Sequence, residues 1–162
     1  CQIPAPPRFR DNDHPVGLGR GLKEGVQIVS EYPQAAVLLA GDTAVVAENL
    51  KSGALRGFRI AANPEAVLQY GVQISNANVE IQDNEISGAA TAGVECSGNT
   101  TAVIRANQIV NNARAALVIR GGAAPRILHN VLTAQNHPAI VVVGSAKPVI
   151  RNNVVISPEF VF

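Results

Sequence analysis

Val79-Glu80-Ile81-Gln82-Asp83-Asn84-Glu85-Ile86 returns three times further along the chain. It reappears as Ala102-Val103-Ile104-Arg105-Ala106-Asn107-Gln108-Ile109, as Pro125-Arg126-Ile127-Leu128-His129-Asn130-Val131-Leu132, and as Pro148-Val149-Ile150-Arg151-Asn152-Asn153-Val154-Val155. Asn84, Asn107, Asn130 and Asn153 thus recur at every twenty-third position without variation. An isoleucine stands three places before each asparagine and an aliphatic residue two places after it. A fixed period in the range of roughly 20–50 residues marks an architecture of stacked repeats.

Each repeat divides into three short strands. In the coil that begins at Gly93, Val94–Ser97 alternates as a strand and Gly98–Thr101 turns. Ala102–Ala106 is a second strand, Asn107 bends the chain, and Gln108–Val110 is a third. Three strands within so short a period exclude a leucine-rich repeat and a helical repeat. The asparagine has a physical reason to recur. A tight corner needs a residue in the left-handed region, which asparagine tolerates. Its amide can then bond to the same amide one coil away, giving a ladder along parallel sheets about 4.8 Å from coil to coil. The expectation is an all-β solenoid with regular coils over 70–157 and the four asparagines as an inward structural ladder.

Toward the N-terminus the pattern loosens. Gly25-Val26-Gln27-Ile28 recurs as Gly71-Val72-Gln73-Ile74, two periods later. Ala36–Leu39 and Thr43–Val46 are short apolar strands around Gly41-Asp42. Phe58, one period before Ile81, takes the same inward place by this count, and the loop Asn63–Leu68 differs from its later counterparts. Residues 1–24 carry Pro and Gly without the repeat and read as an extended arm and lead-in. Residues 25–162 read as one solenoid domain.

The aliphatic-x-aliphatic-x-x-Asn-x-aliphatic unit resembles that of the right-handed parallel β-helix in the pectate-lyase-like superfamily. The copper-maturation and CASH-type (carbohydrate-binding and sugar-hydrolase) repeats carry the same unit. The resemblance implies a right-handed coil, in keeping with the crossover rule. It implies no single function, because lyases, hydrolases, epimerases, phage spikes and inert scaffolds share the fold. It also implies where a site would lie, on the outward face of the first strand column. There the outward rows run Gln73, Glu95, Val118, Val141 and Ser75, Ser97, Arg120, Val143. Beyond Glu95 the next carboxylate is Glu159, so the regular C-terminal coils offer no acidic pair for glycoside cleavage. Glu80 and Glu85 fall outward on different sheets. His129 and His137 lack an acidic or thiol partner. No catalytic residue, metal ligand or cofactor is assigned, although Asp11–His14 is a short polar turn that could hold a cation.

Two surfaces invite partners. Arg59, Arg105 and Arg151, counted onto one outward column of the second strand, make with Arg126 a basic strip suited to an acidic glycan. Val118, Val141 and Val143 belong to a second surface. Outward positions turn apolar toward the C-terminus on all three sheets, which points to contact with another subunit or a missing domain. Phe160–Phe162 arrive where a next first strand would begin. Three classes of function remain open: a non-catalytic scaffold or assembly module, a binder of acidic polysaccharide, and a polysaccharide-active enzyme.

Composition narrows the rest. The chain is 162 residues long, 47% hydrophobic and 4% aromatic, which suits layers of small β-branched side chains. The regular coils from Gly71 to Pro158 contain no aromatic residue, so stacking platforms for sugar rings are missing there, which argues against sugar recognition and disfavours nucleic acid as well. No apolar run is long enough for a transmembrane helix. Net charge is +1, but residues 1–95 carry −4 and residues 96–162 carry +5. With no Met and with Cys1 first, the chain reads as a processed product or a piece of a longer protein. Cys1 ahead of Ile3–Pro7 fits either a boundary or a lipoprotein-type anchor on a secreted or periplasmic protein. Cys96 falls on an inward position.

Overall fold

The computed structural model describes residues 8–10 and 20–157, with side chains from Gly21 onward. Among them there is no helix, and so none long and apolar enough to cross a membrane. The Cys1 and Ile3–Pro7 readings, the Asp11–His14 turn, Glu159 and Phe160–Phe162 lie outside the described residues.

Among the described residues, nineteen strands wind through successive coils. They begin with β1 (Arg8–Arg10), β2 (Arg20–Gly21) and β3 (Gln27–Val29). Next come β4 (Ala36–Ala40), β5 (Asp42–Glu48), β6 (Ala54–Arg56), β7 (Phe58–Ala62), β8 (Leu68–Ser75), β9 (Glu80–Gln82) and β10 (Glu85–Ile86). The regular part follows as β11 (Ala92–Ser97), β12 (Val103–Arg105), β13 (Gln108–Ile109), β14 (Ala115–Ile119), β15 (Arg126–Leu128), β16 (Val131–Thr133), β17 (Ile140–Val142), β18 (Val149–Arg151) and β19 (Val154–Ile156). Every pairing is parallel, and each strand pairs with its counterpart one coil away. The first sheet runs β2-β5-β8-β11-β14-β17, the second β3-β6-β9-β12-β15-β18, and the third β1-β4-β7-β10-β13-β16-β19. Pairing therefore starts ahead of Gly25: Arg8–Arg10 lies beside Val37–Leu39, and Arg20–Gly21 beside Val45–Val46.

The core is a stack of aliphatic columns. Leu55, Ile81, Ile104 and Ile127 form one, and Ile60, Ile86, Ile109 and Leu132 another, all fully buried. Cys96 lies in a third column between Ile74 and Ile119, and burial, aided by the charge of Glu95, pushes its thiol up to about 12. This placement agrees with the alternation of β11.

The asparagines point inward. Asn107 Oδ1 accepts the backbone N–H of Asn84 at 3.0 Å and the Asn84 side-chain amide at 3.2 Å. Asn130 serves Asn107 in the same way at 2.9 and 3.1 Å, and Asn153 serves Asn130 at 2.8 and 2.9 Å. Each Nδ2 also donates to the carbonyl of an aliphatic residue one coil back: Leu55, Ile81, Ile104 and Ile127. Both functions of each amide are thus met inside the core, where an unmet one would be costly.

The left-handed corner residue is not the asparagine. It is the residue before it, at Asp83, Ala106, His129 and Asn152, with φ of 55–56°. Gly57 holds the same corner one coil earlier, with φ of 78°. The division of labour is physical: the left-handed residue reverses the chain with its side chain outward, which leaves its neighbour's amide aimed at the core.

Two counts across the irregular coils do not hold. Leu55, not Phe58, pairs with Ile81, and Phe58 stands below Asn84. Gly25–Ile28 and Gly71–Ile74 occupy different sheets, the second and the first. A main cause lies between the third strand of one coil and the first strand of the next: Val72 comes twelve positions after Ile60, whereas its counterparts Val94 and Leu117 come eight positions after Ile86 and Ile109.

Candidate functional site

The outward face of the first sheet carries a chain of polar side chains across four coils. Gln73 and Glu95 are register partners on β8 and β11. Thr43 on β5 donates its hydroxyl to Gln73 Oε1 at 2.9 Å, and Gln73 Nε2 donates to Glu95 Oε1 at 3.3 Å. Arg120, just past the end of β14, reaches back one coil to bond Glu95 Oε2. The Glu95 side chain is only 10% exposed, whereas that of Arg120 is 49% exposed. A carboxylate withdrawn from water this far is tolerated only when it is paired and hydrogen-bonded.

Tyr70 completes the group. Burial first, then the negative charge of Glu95, raises its phenol above the ordinary value, and both Glu95 and Arg120 lie within its reach. For Arg120, burial works against the charge, but the hydrogen bond and charge of Glu95 outweigh it and the guanidinium is held more firmly protonated. Simple alternation puts Tyr70 inward with Val72 and Ile74. The strand breaks that alternation, because Gly71 and Val72 are both buried. A Cβ on Gly71 would overlap the γ2 methyl of Ile86, so this row admits only a small residue. The same row holds Ala44, Gly93 and Ala116 in the other coils. That run of small residues ahead of the outward polar row is the signal that could have turned Tyr70 toward Glu95.

The basic strip is divided. The second-sheet column is Arg56, Gln82, Arg105, Leu128 and Arg151, so Arg56 occupies the place counted for Arg59. Arg59 lies on the third sheet beside Glu85, its Nε 3.6 Å from that carboxylate. Glu80 is held by Arg56 at 3.0 Å and lies 4.0 Å from Arg105. Arg126 faces outward in the neighbouring row, between Val103 and Val149, and Arg151 pairs with Leu128 one coil further. The strip is therefore interrupted by its own carboxylates at the N-terminal end and open at Arg126 and Arg151.

Val118 and Val141 are register partners beside Glu95 on the first sheet, both half-buried, and Val143 at the end of that face is exposed. His129 occupies its corner with the side chain exposed. Among the described residues no three His, Cys, Asp or Glu side chains come together.

One further inward amide was not singled out from the sequence. Asn112 is buried, accepts the Ala89 N–H at 2.9 Å and donates to the Ile86 carbonyl at 3.3 Å. Its signal was present as the doublet Asn111-Asn112. Asn111 is left-handed and Asn112 points in, the same arrangement as Asn152-Asn153.

The parallel stacking, the three sheets and the inward amides agree with a family-wide model. Residues 29–161 match the model described as the right-handed beta helix region. The chain belongs to the right-handed β-helix family. No curated protein and no solved structure matches it. For a right-handed β-helix the family establishes the coil and leaves the chemistry to the outward faces.

Proposed function

We propose that this β-helix is a non-catalytic scaffold that assembles through its C-terminal coils with another subunit or with a further domain of a longer protein. The observation that carries the reading is the last described coil. Apart from Arg151, its outward strand side chains are apolar on all three sheets, and four of them are exposed: Val143 at 54%, Val149 at 39%, Val154 at 55% and Ile156 at 57%. Two coils earlier the corresponding columns hold Ser97, Val103 and Gln108, and three coils earlier Ser75, Glu80 and Glu85. Each such side chain contributes about 1.5–3 kcal/mol when a partner buries it fully. Exposed apolar side chains gathered in one coil are unusual on a free surface.

The carboxylates argue in the same direction. Glu80, Glu85 and Glu95 are each engaged by an arginine, on three different sheets, and so do not converge on one bond. An acidic polysaccharide along the second sheet would meet Arg126 and Arg151, but also the Glu80 carboxylate between Arg56 and Arg105.

Sedimentation velocity at micromolar concentration tests the reading. The expected result is a concentration-dependent dimer or larger species that Val143→Lys together with Val154→Lys reduces to monomer. A strict monomer whose solubility is unchanged by both lysines would overturn it.

A further inference from the structure

We infer that the partner of the C-terminal coils is a second copy of this chain, packed antiparallel through the outward face of the second sheet. The inference rests on the assembly reading above and names its partner. It begins from the division of charge. Residues 96–157 carry six Lys/Arg and no Asp/Glu. Three of the six, Arg105, Arg126 and Arg151, stand exposed on the last three coils of this face. Arg126 and Arg151 have no carboxylate partner among the described residues. The first three coils hold the opposite sign. Glu80 lies on the third coil, tied to Arg56 on the second, and Asp83 stands exposed at the corner beside it. Glu31 is exposed at the same corner two coils earlier, where Ser30 and Gln34 on either side of it donate their backbone N–H groups to the carbonyls of Arg56 and Gly57. Exposed apolar side chains sit at both ends: Val29 and Tyr32 on the first coil, Val149 and Val154 on the last.

Register determines the orientation. Two copies can meet face to face about a twofold axis that runs along the stack or across it. An axis along the stack sets every coil on its own counterpart. Arg105, Arg126 and Arg151 of both copies then crowd one region that holds no carboxylate, and like charges repel most where water is displaced. An axis across the stack, parallel to the strands, sets the first coil on the last, the second on the fifth and the third on the fourth. Glu31 of one copy then comes to the corner beside Arg151 of the other, and Asp83 to the corner beside Arg105. Arg126 faces Ala54, one coil from Glu80 and so about 4.8 Å along the stack from it. Val29 and Tyr32 come over Val149 and Val154, so the apolar side chains of both ends leave water together. Every contact occurs twice, which closes the pair and leaves no free copy of the surface.

Sedimentation velocity of two charge-reversed forms of the full chain tests this. One form carries Glu31→Lys with Asp83→Lys, the other Arg126→Glu with Arg151→Glu, and circular dichroism checks that each is folded. The wild-type chain is expected to dimerise at micromolar concentration. Each reversed form alone should dimerise about tenfold more weakly or worse. An equal mixture of the two should recover the dimer, because both contacts of the mixed pair again join opposite signs. Recovery on mixing cannot come from damage to either form. A wild-type chain that stays monomeric overturns the inference and leaves a further domain as the partner in the assembly reading. A wild-type dimer that persists in both reversed forms, or a mixture of folded forms that stays monomeric, also overturns it, while assembly through the C-terminal coils stands. Growth past the dimer with rising concentration would show an open head-to-tail contact and overturn the antiparallel pair.

Discussion

The backbone N–H of Phe58 donates to Asn84 Oδ1 at 2.9 Å. Phe58 thus stands where another ladder asparagine would stand one coil below Asn84, and the ladder begins there on a main-chain donor. The buried aromatic ring fills the space that an amide would occupy. The ladder is therefore anchored at one end by a residue that contributes no amide of its own.

Asn107 is central in the ladder, and its removal should be the most damaging. Asn107→Ala leaves the Asn84 N–H, the Asn84 side-chain amide and the Ile81 carbonyl without their partner. The expected loss is about 1–3 kcal/mol for each buried group that finds no substitute. Urea unfolding measures it. Asn153→Ala, at the half-exposed end of the ladder, should cost less. Equal losses at the two positions would contradict the ladder as the source.

Ala106 holds a left-handed corner with φ of 55° and an exposed side chain. An L-residue with a Cβ carries about 1–2 kcal/mol of strain there. Ala106→Gly relieves it but loosens the unfolded chain by about 0.5–1 kcal/mol, so a modest net gain is expected. Ala106→Asn should gain without that penalty. Thermal unfolding of both variants checks the sign, and a lower midpoint for Ala106→Asn would be inconsistent with the corner geometry.

The register of residues 79–157 was legible because one asparagine per coil is enough to count by. The pairings Ile81–Ile104–Ile127–Ile150 follow from that count directly. Counting failed because the register carries four extra residues between Ile60 and Val72 and one fewer between Ser75 and Glu80 than in the next coil, and Arg59 and Phe58 were misplaced together by the difference. Glu95 and Arg120 were assigned to adjacent outward rows but not to each other. Their contact depends on a side chain reaching back across a coil, which strand periodicity does not encode.

Gly93 lies in the row of small residues, and a Cβ there would overlap the γ2 methyl of Ile109 and come within 3.0 Å of the Ala116 carbonyl. One coil later the same two places are Ala116 and Leu132, both fully buried. Gly93→Ala should therefore cost about 1–3 kcal/mol alone. In combination with Ile109→Leu, which recreates the later pair, part of the loss should return. A double-mutant cycle by urea unfolding reads the coupling, about 0.5 kcal/mol or more. Strict additivity would show that the two positions do not meet.

The Cys96 thiol is raised from 9.0 to about 12, first by burial and then by Glu95. The unfolded chain loses this proton first as pH rises. The protonated thiol thus contributes stability that is complete below the unfolded value and declines through the interval up to about 12. Unfolding free energy should fall with pH across that window, and Cys96→Ala should show a shallower fall whatever its absolute stability. Parallel pH profiles for the two proteins would refute a buried, protonated thiol.

Every strand pair in this molecule joins neighbouring coils, and each ladder amide answers the coil below while asking for one above. Such an arrangement contains no rule for how many turns it should have. Length is a free variable of the fold, set by how often the unit was copied and not by closure of the structure. A second copy of residues 102–124, inserted after Ala124, would present the same columns at both joins. It should simply make the stack one turn taller.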